Sequence, residues 1–400
     1  MNPTILLTGG TGQLGSQLGR AFLERGCRVI YLARSARDRS GRDRVIGTLS
    51  QLDPDCARRC ADRIEVWDGD VTQLHLGQGP DTLRAWRGRI DQLWHSAAIL
   101  HFRDTYEDIT EAINVNGTVK VLDAAHELAI PRFHHISTAY VSGTTPGTAF
   151  ESQETHAYDF RNPYERTKYN AEIEVRRKST EYNLATTIYR PAVIVGDSIT
   201  GKSLAFSGLY NIAKVFYMIR RTLLRRLKDN PDRFRGAGIF IDGDVLHFPL
   251  RFPCATNATV NVVPIDYVVA TMIQLADRPE AAGQTFHITN SHPPMVADLL
   301  LQGCRMLKLE GIQFVSCSFD HALHLIRDQI DHYASMGLNI SFCLEIREYI
   351  HYFFGEPAFD LANVRSTLQA DFAEAPRITL PFLKLLLGYA SDHQWRDSLA

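Results

Sequence analysis

What this sequence lacks sets the first limits. No apolar stretch approaches the roughly 20 residues that a membrane-crossing helix needs. The longest candidate, LPFLKLLLGYA near the C-terminus, is short and carries Lys384. Nothing like a secretory leader precedes the strand-forming Thr4-Ile5-Leu6-Leu7. A cytoplasmic location is therefore expected, with peripheral membrane contact left open. No H-E-x-x-H or Cys/His zinc spacing occurs, so no metal is expected, and His134-His135 and the pair His321/His324 read as local structure. The 7 cysteines are odd in number and scattered, which suits reduced thiols rather than a disulfide framework. A net charge of −2 gives no overall field that would favour nucleic acid.

What is present suits a large enzyme. At 400 residues the chain is too long for one small domain. Short β-rich runs alternate with helical stretches in the first half: TILLT, RVIYLA, IEVWD, QLWHS, FHHIS and TTIYR, with helices around Gln13–Arg25 and Thr110–Leu128. The expected architecture is α/β, a Rossmann-type doubly wound parallel sheet with a smaller, mostly helical C-terminal substrate domain. The expected boundaries place the dinucleotide-binding domain at residues 1–195, with 261–276 returning to it. Residues 196–260 and 277–400 form the substrate region.

TGGTGQLG, Thr8–Gly15, follows a strand and opens a helix. That context gives a glycine-rich loop its meaning: the backbone can approach a pyrophosphate whose charge meets a helix N-terminus. Gly9, Thr11, Gly12, Gln13, Leu14 and Gly15 are the expected cofactor contacts. The second strand ends in Ala33-Arg34-Ser35, where an acid would suit the ribose hydroxyls of NAD and an arginine suits a 2′-phosphate. Arg34 thus points to NADP(H), with Arg44 as a second phosphate contact. The alternative is that Arg37, Arg39, Arg42 and Arg44 form a solvated basic loop. Asp70 and Val71 after the third strand, and Ala97 and Ala98 after the fourth, lie at strand ends where such sheets bind ligands.

NPYERTK starts a helix that Asn162 can cap and whose first turn suits Pro163. Tyr164 and Lys168 share a helical face. A nearby ammonium is expected to lower the phenol's pKa, so that Tyr164 can exchange a proton with a substrate oxygen. Thr138, at the end of HHIST, offers a hydroxyl to the same oxygen; strand alternation makes it an alternative to Ser137, and Thr138 is preferred.

These stretches, with HSAAILHF, NVNGT, YRPAVIVGDSITG and VNVVPIDYV, resemble in order the extended short-chain dehydrogenases. Within that group they resemble most the fatty acyl reductase (male-sterility) and thioester reductases, over about residues 4–290. The resemblance implies that Thr138, Tyr164 and Lys168 are catalytic, that Asn114 supports the proton-relay side, and that Pro191 to Val193 line the nicotinamide. It implies NADPH-dependent reduction of an acyl thioester, on CoA or a carrier protein, to an aldehyde, which a second hydride could take on to the alcohol. Gly196-Asp197-Ser198 resembles a carrier's phosphopantetheine site, but its place after a strand reads as a loop beside the cofactor, and the thioester is expected from outside the chain. The competing readings are a ketone, aldehyde or hydroxysteroid dehydrogenase with the same residues, a nucleotide-sugar epimerase or dehydratase, which Arg34 and Arg44 weigh against, and a non-catalytic dinucleotide sensor.

LYNIAKVFYMIRRTLLRRLK, Leu209–Lys228, carries an apolar stripe of Leu209, Ile212, Phe216, Ile219, Leu223 and Leu227, flanked by basic side chains. It reads either as a lid whose basic face meets an acidic carrier, a CoA phosphate or a membrane surface, or as a core-packed helix with a solvated face.

Overall fold

A computed structural model describes residues 2–36, 38–152, 159–228 and 230–397; Arg37 of the basic loop lies outside them. Seven strands form one sheet: β1 Thr4–Thr8, β2 Arg28–Ala33, β3 Ile64–Asp68, β4 Gln92–His95, β5 Arg132–Ile136, β6 Ala185–Pro191 and β7 Thr285–Ile288. Their order is β7-β6-β5-β4-β1-β2-β3, and every pairing is parallel. The order reverses between β1 and β4, which opens the crevice where doubly wound sheets take their ligands.

Both faces of the sheet are covered, so strand residues are buried whichever way they point. Alternation sorts them between two cores. Ile5, Leu7, Tyr31 and Ile136 pack in one, and Leu6, Ile30, Leu93 and Phe133 in the other. The first core also takes helix α1, Gln13–Glu24. The second takes α3, Gly117–Glu127, and α4, Pro163–Tyr182. Helix α2, Gly41–Leu52, is opened by a capping box between Ser40 and Asp43. The single helix expected over Thr110–Leu128 is broken: Glu107–Glu111 is α-helical, Ala112–Asn116 makes one π-helical turn, and α3 follows.

The expected boundary at residue 277 does not hold for two later segments. β7 pairs with β6 at the sheet's edge, and Leu361, Val364 and Leu368 bury themselves in the first core. β7 is short and flanked by polar residues, so only its pairing with β6 reveals it as a strand. The preceding Val262–Pro264 pairs with Val193–Val195 and leads into α6, Ile265–Ala276, which packs against α1.

The remaining segments form a cap with its own core. Helix α5, Leu209–Leu227, buries all six residues of its apolar stripe. It packs with α7, Val296–Met306, and with one face of α8, Phe319–Ser335, in a core that includes Phe248 and Ile350. Short strands supplement these helices, notably Phe240–Asp242 with Val245–His247 and Arg251–Pro253 with Gln313–Val315. Helix α9, Leu380–Asp392, contains the C-terminal apolar run. Among the described residues no helix is long and apolar enough to cross a membrane.

Candidate functional site

The glycine loop is built for close approach. Gly9 has φ +71°, and a Cβ there would lie 2.6 Å from the backbone of Ala97; at Gly15 it would lie 2.2 Å from the Gly9 carbonyl. Gly12 N–H donates to the Gly9 carbonyl at 2.9 Å, closing the turn. Gly12 also caps α1 without any side-chain acceptor, and the helix has no acid in its first turn. Its leading amides and dipole are thus left for an anion. The loop therefore fits a dinucleotide pyrophosphate. Gln13, an expected cofactor contact, commits its side chain to the cap. Its amide Nε2 donates to Ser203 at 2.9 Å, and its carbonyl accepts from Leu204 and Ala205 N–H at 2.8 and 3.1 Å, tying the loop to the cap.

Behind the loop, His95 links β4 to its neighbours. Its Nδ1 shares a hydrogen bond with Thr8 at 2.8 Å and its Nε2 with Thr118 at 2.9 Å. Burial, aided by the nearby Lys168 charge, pushes this histidine down to about 3, so it stays neutral. His134 stacks on Trp94, a packing role. Among the described residues no group of histidines, cysteines or carboxylates gathers that could hold a metal ion.

Beside the loop lies a cationic corner. Arg44 donates to the Arg34 carbonyl at 2.7 Å and reaches Thr11 Oγ1 at 3.4 Å. Burial, with smaller contributions from the charges of Arg34 and Arg39, holds the Arg44 guanidinium below its usual range. Arg34 is 64% exposed and meets Asp70 at 3.4 Å. Burial raises the Asp70 carboxyl, but bonds from Thr72 and the charge of Arg34 outweigh it and leave the group below the usual range. The side chain of Val71, an expected cofactor contact, is buried in the second core, against Gly117.

A cavity of about 400 Å³ runs from this loop into the cap. Gly9, Gly12, Leu14, Gly15 and Ala98 line its sheet end, and Pro191 and Val193 its side. Thr138, Tyr164 and Lys168 meet there as well. Helix α4 places them: Asn162 caps it by accepting from Glu165 N–H at 3.0 Å, and Pro163 fills its first turn. Tyr164 and Thr138, the hydroxyl preferred from the sequence, face the same cavity, close enough for Thr138 to pull the phenol's pKa down; Ser137 also contributes to the wall. Lys168, one turn on, is buried and donates from Nζ to the Ile136 carbonyl at 2.6 Å.

The expectation that Lys168 lowers the Tyr164 pKa is not met. Burial pushes the phenol up to about 12, opposed by the Thr138 hydroxyl. Burial pushes the Lys168 ammonium down to about 8, opposed by Glu172. Asn114 sits in the π-helical turn, a device common at functional sites. Its side chain clamps the backbone of Ile99 with bonds of 2.8 and 3.1 Å and donates to Thr167 of α4 at 3.1 Å. Ser198 N–H and Oγ bond Asp266 at 2.8 and 2.6 Å, which commits that serine to the loop.

The sequence did not single out the C-terminal return over the site. Tyr349, Tyr352 and Phe353 reach the cavity from the far end of the chain, and Leu299 and Leu300 reach it from α7. The available signal was the aromatic density of Tyr349-Ile350-His351-Tyr352-Phe353-Phe354.

A family model described as male sterility protein, an NAD-binding domain, matches residues 7–272. The chain belongs to this family. It is thereby an extended short-chain dehydrogenase, and an oxidoreductase by family. Among curated relatives of this male sterility family member, an NRPS-like oxidoreductase of Fusarium equiseti is 29% identical over 49% of the chain and 18% of its own length. D-lysergyl-peptide-synthetase subunit 3 of Claviceps purpurea is 32% identical over 50% of the chain and 11% of its own. A carboxylic acid reductase of Mycobacterium marinum is 26% identical, over 53% and 19%. The matched regions thus make up less than a fifth of these relatives' own lengths. Among solved structures, the terminal R domain of the myxalamid PKS-NRPS pathway superposes with TM-score 0.76 at 22% identity, covering 99% of this chain and 92% of that one. A UDP-glucuronic acid 4-epimerase from Bacillus cereus superposes with TM-score 0.61 at 16% identity, over 97% and 99%. Both likenesses show the fold.

Proposed function

We propose that this protein reduces an acyl thioester, presented on CoA or a carrier protein, to an aldehyde with NADPH. The observation that carries the reading is the Tyr164–Thr138 pair, set where the glycine loop's cavity continues into an apolar cap. NADPH, when bound, supplies a hydride to the carbonyl carbon. Thr138 and Tyr164 grip the carbonyl oxygen. Tyr164, a phenol at neutral pH and held so more firmly by its burial, gives that oxygen its proton as negative charge develops. Lys168, whose ammonium is fixed one turn away on the Ile136 carbonyl, keeps a positive charge at this end of the cavity. The product is a hemithioacetal; its carbon–sulfur bond breaks, the sulfur leaves as a thiol, and the hydroxyl oxygen becomes the aldehyde carbonyl.

The choice of NADPH over NADH rests on Arg34, Arg44 and Thr11, which converge beside the loop with more positive charge than Asp70 balances. The carrier-bound form of the substrate draws support from the names of the relatives, several of them peptide synthetases, and from the likeness to a thiolation-reductase di-domain. Oxidation of NADPH with an acyl-CoA, an acyl-carrier thioester and the matching aldehyde tests the reading. Turnover of the aldehyde without either thioester would replace it with an aldehyde or ketone reductase. Tyr164→Phe is expected to cut thioester turnover at least about 100-fold and to leave NADPH binding intact.

A further inference from the structure

The cap end of the cavity has a property that its residue types conceal. Three tyrosines line it, yet each hydroxyl is engaged elsewhere. Tyr349 accepts from Asn211 Nδ2 at 2.6 Å. Tyr352 donates to Glu165 at 2.6 Å and accepts from Asn162 at 2.9 Å. Tyr140 donates to Glu356 at 2.8 Å. The rings are held against one another and against Phe102, with centroids 5.3 Å apart for Phe102–Tyr349 and for Tyr140–Tyr352. What remains for a ligand is ring surface. The opposite wall is aliphatic: Leu209, Ile212, Val296, Leu299 and Leu300 from α5 and α7.

Among the described residues lining the cavity, Lys168 is the only charged side chain, and it lies at the sheet end with its ammonium on the Ile136 carbonyl. A charged group carried into the cap would lose its hydration and find no charged side chain on the wall to pair with, which is strongly unfavourable. Apolar surface buried there gains on the order of 25 cal/mol per Å².

We infer that this wall selects an uncharged, apolar acyl group and rejects acyl groups ending in a carboxylate or an ammonium, with Tyr349, Tyr352 and α7 as the specificity-determining elements. The inference rests on the thioester reading for the identity of the reacting group, but not for the wall's preference.

The test compares matched pairs that differ only in terminal charge: octanoyl-CoA against the mono-CoA thioester of suberic acid, and octanal against 8-oxooctanoate. For each pair kcat/KM is expected to favour the uncharged member at least 100-fold. Ratios within threefold in both pairs overturn the inference. Inert thioesters together with a 100-fold preference in the aldehyde pair overturn the thioester reading and support the wall. No turnover of any of the four, with NADPH bound, overturns both. Leu300→Arg adds a cation to the aliphatic wall and is expected to narrow the ratio at least tenfold. An unchanged ratio in a variant that still binds NADPH overturns the placement of the acyl group beside α7. Should the arginine prevent folding, the wild-type ratios decide alone.

Discussion

The hydroxyl of Tyr352 lies 2.6 Å from Oε1 of Glu165, the buried residue that directly follows Tyr164. A segment far along the chain thus holds the first turn of α4. Arg161 meets the same carboxylate at 3.4 Å, and Asn162 both caps the helix and donates to Tyr352. Removing the hydroxyl leaves a buried acceptor and a buried amide short of a partner, at a cost of about 1–3 kcal/mol. Tyr352→Phe is therefore expected to lower unfolding stability by that amount in urea titrations, with the ring still filling its place. Unchanged stability would mean that Arg161 alone holds the helix.

The Arg34–Arg44–Thr11 corner makes a prediction about cofactor choice. Arg44 is braced by the Arg34 carbonyl, so its guanidinium is already placed before any phosphate arrives. Arg44→Ala is expected to weaken NADPH at least tenfold, about 1.4 kcal/mol, and NADH by less than threefold. Equal losses, measured by fluorescence titration, would show that the corner does not read the 2′-phosphate. Arg34→Ala should act in the same direction but less, because the side chain is largely exposed and its charge is screened.

The depressed Lys168 pKa sets a pH limit. Burial moves the ammonium from its ordinary value down to about 8. On the proposed mechanism the charged form is the active one, so kcat/KM is expected to fall as pH rises through about 8. Stability moves the other way. Between that pH and the ordinary lysine value the unfolded chain holds a proton that the folded chain has released, so stability rises with pH across the window. The penalty for burying the charge is fully present below it. Lys168→Met is expected to abolish this rise in stability. A wild-type activity profile flat from pH 7 to about 10 would rule out the charged lysine as a participant.

Much of this was legible in the sequence because it is local. The glycine spacing of the loop, the cap of α4 and the i, i+4 placement of Tyr164 and Lys168 depend on neighbours a few residues away. The stripe on α5 was readable because its apolar residues recur at helical spacing and are all buried. What escaped depends on distant partners. Gln13 is spent on residues 203–205, and β7 is a strand only because β6 lies beside it. The Tyr164 pKa moved upward because burial, invisible to local spacing, outweighs everything the neighbouring sequence supplies. Val71 sits at a strand's end as expected, yet its side chain turns to the core, a choice made by Gly117 leaving room for it.

The two readings of the basic helix resolve into parts. Its apolar stripe is packed in the cap core, while Arg221, Arg225 and Arg226 are exposed and make no ion pair among the described residues. If the proposed thioester arrives on an acidic carrier, this exposed row of cations is a surface it would meet favourably. Such contacts act on encounter and are screened by salt, with a Debye length of about 10 Å at 0.1 M. Arg221→Glu with Arg225→Glu is therefore expected to raise KM for an acyl-carrier substrate about tenfold at low salt. The increase should shrink at 0.5 M salt, with kcat and the kinetics of small aldehydes unchanged. Identical KM values for wild type and variant with the carrier substrate would remove docking at this face. A fall in aldehyde turnover would instead show that the charges support the folded cap.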